Sequence, residues 1–153
     1  MTAKAEFNAD EWSAVAGAPL MSAMMVIAAE RGGSVRESVA FAKAYGEARE
    51  HYDGELMSAL LASPPAAAVQ RPDSPADLAE QAKAKLREAV AALERHAGED
   101  EIAEYKRFVY ALAESVASAR TEGGFLGIGG NKNPVSEAEQ AALDEIDAIL
   151  EGR

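Results

Sequence analysis

The sequence predicts an all-α fold, a compact bundle of six or seven helices. Three observations carry that expectation. Strong helix formers (alanine, leucine, glutamate, lysine and arginine) dominate, with 35 alanines among 153 residues. No stretch alternates apolar and polar residues over strand lengths with β-branched enrichment. Apolar residues recur instead at three- and four-residue spacings, between capping residues and glycine stops.

The first element is expected as a short helix over Asp10–Ala16, with Asn8 or Asp10 near its cap. Pro19 suits the first turn of the next helix, where a missing N–H costs little. That helix, Pro19–Ala29, carries Leu20, Met21, Met24, Met25, Val26 and Ile27. It is apolar nearly all round and belongs in the centre of the core. Gly32 and Gly33 end it. Ser34 then opens a third helix, with Glu37 three residues on completing a capping box. Its apolar stripe reads Val35, Val39, Ala42 and Tyr45, and Gly46 weakens its middle. His51-Tyr52-Asp53-Gly54 reads as a break, with Asp53 capping a short helix that ends near Leu61.

Residues 62–74 read as a Pro/Ala-rich linker between two helical halves of one domain, residues 1–153. This segment holds Pro64, Pro65 and Pro72. Ser74 caps a long helix with Pro75 at its first position and the stripe Leu78, Ala82, Leu86, Ala89, Val90 and Leu93. Gly98 stops it. Glu99, Asp100 and Glu101 sit at the start of the next helix, where negative charge favours the dipole. Ile102, Tyr105, Phe108, Val109, Leu112 and Val116 line its core face, and Gly123-Gly124 ends it. The last helix opens on a second capping box, Ser136 with Glu139, and buries Leu143, Ile146, Ile149 and Leu150.

Charge and composition exclude several functions. Fifteen basic and 26 acidic residues give a net charge of −11, which repels nucleic-acid phosphates and anionic lipid. With no cysteine there is no disulfide scaffold, thiolate metal site or cysteine nucleophile. Trp12–Ala29 is an uncharged run of 18 residues, marginal for a membrane span. Gly17 and Pro19 interrupt it, and Glu6, Asp10 and Glu11 precede it against a single Lys4. A core helix is therefore favoured over a signal peptide or inserted segment, and the expected compartment is the cytoplasm.

An apolar helix runs into Ala28-Ala29-Glu30-Arg31-Gly32-Gly33, and Ser34-Val35-Arg36-Glu37 opens the next. Glu122-Gly123-Gly124 is followed, after an insertion, by Val135-Ser136-Glu137-Ala138-Glu139. Duplication and the ordinary recurrence of caps and glycines both account for two such helix-turn-helix halves. This pattern resembles the TerB-like tellurite-resistance family. The resemblance implies an all-helical fold with two similar halves and a stress-response role. It also implies divalent-metal binding by acidic side chains at Asp-Gly turns, which read Glu30-Arg31-Gly32 and Glu122-Gly123 here. Glu30, Glu37, Glu122 and Glu139 are the metal candidates. A Ca²⁺ or Mg²⁺ ion would need several such oxygens, although capping alone accounts for Glu37 and Glu139.

His51, with Glu47 and Glu55 four residues to either side, would share one face with them only on a continuous helix, and Gly54 argues against that. Both histidines are read as surface residues. The stretch Gly123–Pro134 contains Phe125, Leu126, Ile128, Asn131 and Lys132. It lacks a phosphate-loop signature and reads as a plug on the core or a contact tip for a partner. There is no nucleophile elbow and no histidine near a plausible serine nucleophile. The preferred function is a non-enzymatic binding or stress-response module, with a protein partner or self-association and no required cofactor. The alternative is a ligand carrier or enzyme with a pocket near residues 123–134.

Overall fold

Side-chain caps written into the sequence start three of the six helices among the described residues. The computed structural model describes residues 1–29, 35–62, 72–119 and 135–153, with the backbone alone at 35–38. A 3₁₀ turn (Lys4–Glu6) leads into α1 (Ala9–Ala29), α2 (Val35–His51), α3 (Glu55–Leu61), α4 (Pro75–His96), α5 (Glu99–Ala119) and α6 (Glu137–Leu150). Among the described residues there is no strand, and the chain is an all-α bundle.

The first helix corrects the expected pair. Asn8 caps it: its side-chain oxygen accepts from the Glu11 amide at 2.9 Å, while Glu11 accepts from the Asn8 amide at 3.0 Å. From there α1 runs unbroken through Pro19, which lies in its interior rather than in a first turn. A proline there leaves the carbonyl four residues back, on Val15, without its helical donor. The Tyr105 hydroxyl of α5 supplies one, donating to the Val15 oxygen at 2.7 Å between two fully buried residues. The missing N–H is thus replaced from a neighbouring helix, which lets the chain keep one long rod.

No residue from Pro19 to Ala29 is exposed, consistent with a central helix. α1 packs most extensively on α4 and also touches α5 and α6. It is long and apolar enough to cross a membrane, and 56% of its most apolar window is buried within the bundle. Met21 and Met25 lie in the core with Met24 half-buried, as expected for methionine filling gaps.

α4 starts where Ser74 accepts from the Asp77 amide at 3.0 Å and Pro75 takes the first helical position. All six residues of its expected stripe are buried. Fully buried leucines such as Leu86 and Leu93 each stabilise the fold by roughly 1.5–3 kcal/mol relative to exposure. Gly98 does not stop the helix in a left-handed conformation, since Gly152 is the one described glycine with positive φ. It serves the next helix instead: its carbonyl accepts from Ile102 and its amide donates to Glu101.

α5 buries Tyr105, Phe108, Val109, Leu112 and Val116, with Ile102 half-buried beside them. α6 opens on the predicted capping box and buries Leu143, Ile146, Ile149 and Leu150. In α2 the expected stripe is rotated. Val39 is 60% exposed and Ala42 is exposed, while Phe41, Tyr45 and Ala48 face the core at helical spacing. The two rings decide the face: Phe41 stacks near Tyr45, and Tyr45 meets Phe108 of α5. Gly46 does not interrupt the helix. α3 begins at Gly54, not at a side-chain cap from Asp53.

Candidate functional site

Of the four acidic residues singled out in the sequence, Glu139 alone has its side chain among the described residues. Glu139 is buried to 1% exposure, its carboxylate accepting from the Ser136 amide at 3.2 Å in the α6 cap. Glu37 lies in the first turns of α2, known by its backbone alone. Glu30, Glu122 and the loop residues Phe125, Leu126, Ile128, Asn131 and Lys132 lie outside the described residues, as do Ser34 and the ends of the two turns. Among the described residues no group of three or more histidine, aspartate or glutamate side chains is arranged to hold a metal ion.

The histidines separate. His51 is exposed, its Nδ1 meeting the Glu47 carbonyl at 3.0 Å, and the break at Tyr52-Asp53 removes Glu55 from its helix. His96 corrects the surface expectation. It is half-buried against the ring of Phe7, and its Nε2 lies 3.1 Å from Glu11 of α1. A carboxylate only accepts, so the imidazole donates to it. Arg95 meets the other Glu11 oxygen at 3.2 Å. The Asn8 amide foremost, then His96 and Arg95, hold the Glu11 carboxyl below the usual range against its desolvation.

The N-terminus is tied to the same corner. Thr2 is buried, and its amide and hydroxyl donate to Glu101 at 2.7 and 2.6 Å. Desolvation pushes the Glu101 carboxyl up, but these two bonds and the Gly98 amide bring it below the usual range. This corner is a clasp between the chain start and the α4–α5 turn. The His96 imidazole donates to a carboxylate there, and the Thr2 hydroxyl to another.

A large groove lies elsewhere, along the outer face of α5. A groove of about 1250 Å³ runs the length of that helix, from Glu99 to Ala119. α5 forms its floor. Its walls are α2, through Ala40 and Ala44, and the end of α6, through Asp147 and Leu150. Ala97 closes one end. The core-facing side of α5 carries most of the large apolar residues, and the groove side has Ala103, Ala111, Ser115 and Ser118 at its floor among Lys106, Arg107, Glu114 and one ring, Tyr110. Small side chains bring the backbone close to the surface, which makes the depression.

Its electrostatics are uneven. Six acidic and three basic side chains line it. Lys43 is paired with Glu47 at 3.8 Å and Asp147 with Arg153 at 2.9 Å. Glu114 makes no ion pair among the described residues. Burial, then the carboxylates of Glu114, Asp147 and Asp144, push the Tyr110 phenol up, so it stays a neutral donor. This arrangement suits recognition by shape and charge.

Sequence reading missed this face because it followed only the large apolar residues of α5. The available signal was the recurrence of alanine and serine on the opposite side, at 103, 111, 115 and 118. Comparison with protein-family models, curated proteins and solved structures finds no match to this chain.

Proposed function

We propose that the chain is a non-enzymatic, cytoplasmic binding module that receives a helical segment of a partner protein in the α5 groove. The observation that carries this reading is the match between the groove and a helix. A 20-residue helix is about 30 Å long and about 10 Å across, so sunk to half its depth it occupies roughly 1200 Å³. The groove has about that volume and follows a 21-residue helix. The alanines and serines at 103, 111, 115 and 118 permit close approach along part of its floor, and Tyr110 offers a ring to pack against and a hydroxyl to donate. A stress-response role, implied by the TerB-like resemblance of the turns, belongs to the same reading and requires no chemistry of the module itself.

The test is selection of binders from a displayed library of 20-residue helices against the intact chain, repeated with Ala111→Trp. Ala111 is exposed, so the indole fills the groove without entering the core. The expected result is that most binders lose at least tenfold in affinity on Ala111→Trp while the melting temperature is unchanged. Binders indifferent to Ala111→Trp would refute the groove as the docking site.

A further inference from the structure

We infer that the helix received by the groove carries a basic edge, and that it docks with its lysines or arginines over Tyr110 and the α6 wall. This rests on the groove reading and adds the partner's chemistry to it. The groove's three cations are matched by Glu47, Glu94 and Glu99 on α2, α4 and the start of α5. Lys43, Lys106 and Arg107 come from α2 and the first half of α5. Three of the six acids, Glu114, Asp147 and Glu151, come from the second half of α5 and the end of α6.

Tyr110 marks the acidic side. Burial first, then Glu114, Asp147 and Asp144, push its phenol up. Arg153 is drawn to Asp147, but that pair is exposed on both sides and contributes little. Its formation shows that a guanidinium is accepted at this wall.

A cation arriving over Tyr110 gains from the ring face and from neighbouring carboxylates together. An acidic partner edge at the same place meets like charge while being desolvated and is disfavoured. Lys106 and Arg107 lie one turn before Tyr110 and Glu114 one turn after it, so a basic edge is drawn to the Glu114 and α6 side of the ring. The net charge of −11 steers such a segment toward the molecule from a distance, but only the local arrangement orients it.

The experiment uses the same helix library and the full chain. Binders that Ala111→Trp abolishes are sequenced, and their affinity is measured for Glu114→Lys, Glu114→Gln and Glu50→Lys. Glu50 is exposed on α2 and does not line the groove, so Glu50→Lys makes the same net change in charge elsewhere. The expected binders are enriched in lysine and arginine on one edge. Glu114→Lys should weaken them at least tenfold and Glu114→Gln about threefold, with less than a twofold effect from Glu50→Lys. Groove-dependent binders that are neutral or acidic overturn the inference and leave the groove reading intact. So does an equal loss with Glu50→Lys, which would mean attraction to the whole molecule alone. If no binder depends on Ala111, both fall.

Discussion

Tyr105→Phe isolates the bond that allows α1 to pass through a proline. The substitution removes one oxygen from a fully buried ring and leaves the packing volume almost unchanged. What it strands is the Val15 carbonyl, which has no helical donor because residue 19 lacks an N–H. An unsatisfied buried backbone acceptor costs about 1–3 kcal/mol. In a chain of 153 residues each kcal/mol lowers the melting temperature by about 2–4 °C. The assay is urea unfolding followed by circular dichroism, with the slope checked for constancy. The decisive comparison is a double-mutant cycle with Pro19→Ala, which returns an N–H to residue 19. In that background Val15 has its helical donor, so Tyr105→Phe should cost at least about 1 kcal/mol less than in the parent. An equal cost in both backgrounds, or a cost below about 0.5 kcal/mol in the parent, refutes the compensation.

Two further expectations concern buried polar groups of opposite kinds. Ser22 is 1% exposed and its hydroxyl has no hydrogen-bond partner among the described residues, so Ser22→Ala should raise stability by about 0.5–1.5 kcal/mol in the same urea assay. A loss of stability would show that the hydroxyl is bonded. Thr2→Val removes the hydroxyl bond to Glu101, so the Glu101 carboxyl should titrate at higher pH, as followed by its side-chain carbon resonance. Because the folded value is depressed, the stability it confers is present above the ordinary carboxylate range and is lost as pH falls through the folded value. An unmoved Glu101 titration would refute the clasp at the chain start.

Local signals in the sequence located much of the fold. Ser74-Pro75 and Ser136-x-x-Glu139 start helices where their side chains can satisfy free amides, and both do so here. The α4, α5 and α6 stripes were legible because large apolar residues repeat at one spacing with no competing face. The errors fall where a distant residue decides. Pro19 read as a helix start because its compensating donor lies 86 positions away at Tyr105. The α2 face was misplaced because Val39 looks as apolar as Phe41 until the ring of Phe108 selects between them. His96 was read as a surface residue because its partner, Glu11, is 85 positions away. The groove was illegible for a related reason: a depression is defined by what neighbouring helices leave uncovered, and no single helix encodes that.

The two faces of α5 are linked by rigidity. Its inner face is fixed by fully buried Tyr105, Val109 and Val116, and by a hydrogen bond into the central rod. Its outer face is the groove floor, with Tyr110 five residues beyond Tyr105 on the same helix. A floor held this way does not need to order itself when a partner arrives. Association then costs less conformational entropy than docking on a loop would, and a modest set of contacts suffices for specific binding. On this reasoning the proline in α1 and the docking face of α5 are parts of one arrangement, joined through Tyr105. Weakening the buried link in Tyr105→Phe should therefore raise hydrogen exchange along the groove floor near Tyr110 and Ala111 more than at the capped start of α6, which Ser136 and Glu139 hold by themselves.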